Sequence, residues 1–252
     1  MSREVITRDG RPRWATRLAV LLPSPASTPF TFWYLVLLQV TTAVQHLAGH
    51  RLAAKLLALA STDAHNLVHR PVLSLITSGL WIGDSSWLAY AVIFTFAVAP
   101  LERRVGAGWT FAVFASGHIL ATLATELPVM AALSAGTLPA ADARWLDIGV
   151  SYGFFATAGA LVPIVERRFR RWVATGIFAF ILVIYLTDEP GSLLSIVTVA
   201  GHLIAALIGM LAWKPWLRRR GLTGTLRLSR RPGAPPTDRV PPTAPLAGSI
   251  AP

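Results

Sequence analysis

The sequence predicts an all-α polytopic membrane protein, a bundle of six membrane-crossing helices with both termini on the cytoplasmic side. Three observations carry this reading. Hydrophobic residues make up 54% of the 252-residue chain and charged residues 14%, a balance that suits a multi-span membrane protein and not a soluble domain. Six apolar runs come close to the roughly 20 residues needed to cross the hydrocarbon core of a bilayer. Lys and Arg are spread very unevenly over the segments that join those runs.

Residues 1–28 form a basic arm carrying Arg3, Arg8, Arg11, Arg13 and Arg17. Its apolar run, Leu18 to Leu22, is short for a signal-peptide core, and Pro23-Ser24-Pro25 breaks it. The membrane domain is expected over 29–213. Its first span is 29–49, with Trp33 and Tyr34 near one end, where interface aromatics belong. The mixed segment 50–70 is long for a helix connection and is expected on the membrane surface with structure of its own. Within it, Ser61-Thr62-Asp63 is suited to capping a short helix.

The second span is expected at 85–101, followed by a tight charged turn running from Glu102 to Gly108. The third is 109–127, closed by Pro128, with Glu126 at the interface. A long loop leads to the fourth span, 148–165. The fifth is 172–187, the turn Asp188-Glu189-Pro190-Gly191 follows, and the sixth is 192–213. Residues 214–252 are rich in Pro and Arg without apolar periodicity, so a disordered cytoplasmic tail is expected.

Counting sets the orientation. With six spans and both ends inside, the inner segments hold 19 Lys and Arg and the outer segments four, namely Arg51, Lys55, Arg70 and Arg144. The positive-inside rule therefore places both termini in the cytoplasm. The formal net charge of +11 is a topology signal rather than a nucleic-acid patch, and no nucleic-acid partner is expected. The cationic residues are nearly all Arg, with Lys only at 55 and 214, as in a GC-rich bacterial genome; a bacterial cell membrane is the expected location.

The absence of cysteine excludes disulfides, thiol catalysis and cysteine metal sites. The pairs His46/His50 and His65/His69 have i, i+4 spacing, but no tight carboxylate cluster accompanies them. No metal and no cofactor are expected.

The chemistry-bearing residues lie in the fourth and sixth runs. Ser151 falls near the start of a glycine-rich apolar helix, in Gly149-Val150-Ser151-Tyr152-Gly153. His202 lies mid-span in Gly201-His202-Leu203-Ile204-Ala205, and a histidine there is costly enough to raise a functional question. His202, Ala205 and Gly209 share one helix face. Small residues on both spans allow close approach, so Ser151 reads as a nucleophile and His202 as its base. The N–H groups at the start of the fourth span, Gly149 included, suit an oxyanion. No carboxylate is placed to orient His202, and Asp147 reads as a helix cap or a solvent-facing group. A dyad is expected rather than a triad. His118, in the third span, reads as structural.

These pieces resemble the rhomboid family of intramembrane serine proteases, in a divergent branch. The resemblance covers about residues 71–213. Gly149-Val150-Ser151 is similar to the family's Gly-x-Ser, His202 with Ala205 and Gly209 to its last-helix motif, and Glu102-Arg103-Arg104-Val105-Gly106 to its Glu-x-x-x-Gly turn. The resemblance implies a rhomboid-like bundle whose serine attacks a peptide bond of a single-span membrane protein within the lipid bilayer. Two positions depart from the family pattern. Tyr152 stands where glycine is usual after the nucleophile. Ser86 and Tyr90 stand where a His and an Asn help hold the oxyanion, so these two hydroxyls are the corresponding candidates. The alternative implied is a proteolytically inactive rhomboid-like protein that binds transmembrane helices.

Overall fold

Apolar runs without strand periodicity fold here into helices alone. The computed structural model describes residues 21–83 and 86–226; the expected basic arm up to residue 20 and the expected tail from 227 lie outside the described residues. In chain order the helices are α1 Pro29–Leu47, α2 Gly49–Ala60, α3 Ala64–His69, α4 Pro71–Ser78, α5 Trp87–Phe96, α6 Val98–Val105, α7 Ala107–Ser134, α8 Val150–Ile164, α9 Arg170–Thr187, α10 Leu193–Leu207 and α11 Lys214–Arg219. A π turn, Ile208–Ala212, joins α10 to α11. Among the described residues there is no strand; a β-bridge pairs Val165 with Leu226.

Three helical stretches are long and apolar enough to cross a membrane: Ala107–Ser134, Arg170–Thr187 and Leu193–Arg219. The exposure of α9 fits a lipid solvent. Ile181 is its one buried residue, while Trp172, Leu182, Val183 and Leu186 are all more than half exposed. Water would make such a surface an aggregation site; hydrocarbon does not.

The core is organised round α8. Every residue from Val150 to Ile164 is buried except Ser151. Helices α7, α9, α10 and α6 all pack against it. Small residues make this possible by letting backbones meet. A Cβ at Gly159 would overlap the Ala206 carbonyl of α10, and one at Gly209 would overlap the Ala156 carbonyl of α8. The π turn begins one residue before Gly209, at this tightest contact. On the other side, Gly117 of α7 faces Ala156 with no room for a side chain.

Several elements differ from the sequence expectation. The run expected as the second span forms two helices, α5 and α6, broken at Ala97. The charged stretch from Glu102 is not a turn throughout: Glu102 to Val105 complete α6, and the chain reverses at Gly106, whose φ of 83° suits glycine. Pro128 does not close α7, which continues to Ser134. A proline removes one hydrogen bond, and the helix-forming residues after it (Met130, Ala131, Ala132, Leu133) carry the helix on. Glu126, expected at the interface, is inside the helix and its side chain is fully buried against protein.

Residues 214–226, expected within a disordered tail, are ordered. Leu217 of α11 is buried, and the Leu226 backbone bonds Ile164 O and Glu166 N at 3.0 and 3.1 Å. The segment 50–70 has the structure of its own that was expected, and Asp63 caps α3 by accepting from Asn66 N at 2.8 Å.

One long-range contact ties α1 to α6. The buried Glu102 carboxylate accepts from Phe30 N (2.8 Å), Thr31 N (2.8 Å) and Thr31 Oγ1 (2.6 Å). It serves as the cap that Thr28 does not supply, with its charge at the positive end of α1. Glu102→Ala leaves these donors unpaired and is expected to cost about 3 kcal/mol, read as a loss of unfolding midpoint in detergent. Glu102→Gln should cost less, and an unchanged midpoint for Glu102→Ala would contradict the assignment.

Candidate functional site

The start of α8 lies at the edge of the core, and Ser151 is its one position that is not buried. The helix has 15 residues, about 22 Å at 1.5 Å per residue. That is shorter than the roughly 30 Å hydrocarbon core of a bilayer. A short helix at the centre of a bundle leaves room above its end. The room is a cavity of about 270 Å3 whose wall includes Tyr90, Asp147, Ser151, Asp188, Leu194 and Thr198.

His202 reaches Ser151 from α10. Its Nε2 lies 2.9 Å from Ser151 Oγ, and the histidine is buried. With the proton on Nδ1, Nε2 accepts the serine hydroxyl. Nδ1 has no hydrogen-bond partner among the described residues, so aromatic walls orient the ring in place of a carboxylate. The Phe155 ring is 4.5 Å away and tilted by 44°, and the Tyr152 ring stands edge-on at 5.4 Å and 80°. Tyr152, the departure from the family pattern, is buried with its phenol against Gly201. A Cβ at Gly201 would overlap that ring. The glycine beside His202 thus makes the space that the tyrosine beside Ser151 fills.

Of the oxyanion candidates, Tyr90 shares the cavity wall with Ser151. Ser86 stands at the N-cap position of α5; it is not among the residues that line the cavity. Gly149 immediately precedes α8, and its Cα lies against the His118 ring so closely that a Cβ would overlap it. His118, expected as a structural residue, is buried, with its Nε2–H donating to Leu75 O (2.7 Å) and Ser78 Oγ 3.2 Å away.

A polar clamp that the sequence did not reveal holds the segment before α8. Ser61 Oγ donates to Trp145 O (2.8 Å) and accepts from Asp147 N (2.9 Å). Thr62 donates from N to Asp147 O (3.0 Å) and from Oγ1 to Asp147 Oδ2 (2.8 Å). Asp147 is therefore neither a helix cap nor a solvent-facing group; it is buried because α3 and its cap fold over it. The hint was Ser61-Thr62-Asp63, which does two jobs. Asp63 caps α3, while Ser61 and Thr62 bind a segment about 85 residues away.

Of the histidine pairs, His46 lies in the last turn of α1 and His50 in the first turn of α2. The His65 and His69 rings lie 4.3 Å apart, and Arg144 donates to His65 Nε2 at 3.2 Å.

Apolar helices of membrane-crossing length, a fully packed central helix and a serine–histidine contact at its end define a class: all-helical membrane proteins with a polar site sunk below their surface. Residues 26–223 match the model of the family described as rhomboid-like protein, and the chain belongs to that family. No curated protein and no solved structure matches the chain.

The clamp has a pH signature. Burial pushes the Asp147 carboxyl up from 3.8 to about 6, against the Thr62 hydrogen bond, with the Asp63 charge adding to the rise. An acid whose folded pKa lies above its unfolded one binds protons preferentially when folded. Stability from this group is therefore present below 3.8 and lost as pH rises through about 6. Melting curves in detergent across that window should show this loss reduced in Asp147→Asn; an unaltered pH slope would exclude the contribution.

Proposed function

We propose that the chain is an intramembrane serine protease that cleaves single-span membrane proteins, with Ser151 as nucleophile and His202 as general base. The observation that carries the reading is the 2.9 Å contact between Ser151 Oγ and His202 Nε2. It lies at a cavity wall, on a buried imidazole whose other nitrogen has no partner among the described residues. Family membership alone would not carry it, since the rhomboid-like family includes inactive members.

In this mechanism His202 Nε2 takes the Ser151 proton as Oγ attacks the substrate carbonyl. The oxyanion that forms faces the free N–H groups of the first turn of α8 and the positive end of that helix, with the Tyr90 hydroxyl on the same cavity wall. His202 then passes its proton to the leaving amine, and water hydrolyses the acyl-enzyme by the same steps. The substrate approaches from the side. A groove of about 360 Å3 lined by Val92, Phe96, Phe154, Phe155, Ile177 and Phe180 lies between α5, α8 and α9. Its apolar wall suits a transmembrane segment, and Phe155 touches both the groove and His202.

The topology belongs to the same reading: six spans, counting α1, α5–α6 and α8 with the three long stretches, and both termini cytoplasmic. The Lys and Arg asymmetry supports it. It sets the starts of α8 and α10, and hence the dyad, toward the outer face of a cell membrane. A second reading, a helix-binding protein without proteolysis, is favoured by one feature: His202 lacks a carboxylate partner. It would use the same groove, and its membrane partners would co-purify equally with Ser151→Ala.

A serine-directed phosphonate probe separates the two readings. The purified protein in detergent is expected to label, and Ser151→Ala and His202→Ala are expected not to. A folded wild type that stays unlabelled, or equal labelling of Ser151→Ala, rejects the protease. If Tyr90 donates to the oxyanion, Tyr90→Phe should slow substrate cleavage about 100-fold without lowering the melting temperature; an unchanged rate removes Tyr90 from the site.

A further inference from the structure

A second cavity, of about 630 Å3, lies between α2, α3 and the segment that enters α8. Lys55, Arg70 and Arg144 all line it, beside Leu57, Leu59 and Leu146. In the proposed orientation the outer segments hold four Lys and Arg in all. Three of them, spread over about 90 residues of sequence, converge here. Topology disfavours cations on that side, so their convergence asks for a ligand.

Among the described residues none of these cations is in an ion pair. Among the described residues the ion pair is Arg168 with Glu166, well away from this cavity. Asp63, the acid on the wall, accepts from Asn66 N at 2.8 Å and Nδ2 at 3.3 Å; its charge is felt at Arg144, which leaves three cations facing one acid. Arg70 gives one N–H to Asn66 Oδ1 (2.8 Å) and Arg144 one to His65 Nε2 (3.2 Å). A guanidinium has five N–H donors, so each arginine keeps a fork for an oxyanion. The helices that carry the cavity wall also expose apolar side chains. Leu52, Leu59, Val68, Val72, Leu73 and Ile76, on α2 to α4, are all more than half exposed. Cations in a pocket with an apolar apron match a phosphate headgroup with its acyl chains, and match a soluble anion poorly.

We infer that this cavity binds the phosphodiester headgroup of an anionic phospholipid from the outer leaflet, with an acyl chain along the apolar face of α2 to α4. The inference rests on the proposed orientation and not on proteolysis. The bound headgroup bridges α2 and α3 to Arg144, three residues before the Asp147 clamp, and so braces the start of α8.

The test uses the full-length protein in a neutral detergent. Native mass spectrometry reads binding of phosphatidylglycerol and of phosphatidylcholine with the same acyl chains, with inorganic phosphate as competitor. Phosphatidylglycerol is expected to bind about tenfold more tightly than phosphatidylcholine, as a few juxtaposed cations provide. Lys55→Glu, at an exposed position, should remove most of that preference, and Lys55→Arg should keep it. Inorganic phosphate at millimolar concentration should not displace the lipid. Equal binding of the two lipids overturns the site. So does a preference that survives Lys55→Glu, because the basic segments of the opposite face would then be its source. Displacement by phosphate as effective as by lipid replaces the lipid with a free anion. Because the chain has no cysteine, Lys55→Cys labelled in intact cells by an impermeant maleimide reports the orientation alone; labelling only after lysis overturns the leaflet assignment. Lipid binding that persists while the phosphonate probe fails sinks the protease and leaves this site standing.

Discussion

The structure depends on one packing constraint: α8 is packed among α6, α7, α9 and α10, with backbone against backbone where it meets α10 and the turn that follows it. Gly159 against Ala206 and Gly209 against Ala156 bring α10 so close that no side chain intervenes. That approach puts His202 within hydrogen-bonding distance of Ser151. A larger residue at either glycine would push α10 away, and the serine–histidine contact would open with it. Because α8 is short, its enclosed end lies below the rim of its neighbours, and the space left over is the Ser151 cavity. The polar site follows from how the apolar core is packed.

Enclosure alone does not fix where α8 begins. That falls to contacts from distant parts of the chain. His118 of α7 fills the space beside Gly149, and Ser61 and Thr62 hold residues 145–147. At the far end, the Arg170 side chain donates to the Pro163 and Val165 carbonyls at 2.8 and 3.0 Å, satisfying groups that the end of a helix leaves open. The Glu102 carboxylate does the corresponding work for α1. In a low-dielectric setting these bonds are strong and their loss is costly, which is why buried acids and a buried histidine persist in so apolar a chain.

Much of this was legible in the sequence, and what was not has a common cause. Apolar runs showed where helices form, since length and composition are local properties. Ser151 and His202 stood out because a hydroxyl near a helix start and an imidazole inside an apolar run are each unusual where they sit. The break at Ala97 has its signal in Pro100, whose ring opposes the carbonyl of Phe96 four residues back, but the apolar run continues across it and masks the break. Pro128 announces a break that its helix-forming successors override. The burial of Asp147, the dual use of Ser61-Thr62-Asp63 and the ordering of 214–226 against Val165 all depend on partners tens of residues away. Composition and periodicity carry no information about such pairings. Tyr152 shows the same limit: beside Ser151 it reads as a departure from the family pattern, and only its fit against Gly201 explains how it is accommodated.

The chemistry proposed for the site requires an imidazole oriented by Phe155 and Tyr152 to serve where a carboxylate is often used. The most direct measurement is hydrolysis in a membrane. The purified protein, reconstituted in liposomes with single-span substrates in 18O-labelled water, should yield fragments whose new carboxyl group carries the label. The cut should lie in or beside the membrane segment, and Ser151→Ala should make none. A correctly folded wild type that cuts no substrate across a broad panel, or the same cut made by Ser151→Ala, would contradict the assignment of Ser151 and His202 as a catalytic pair.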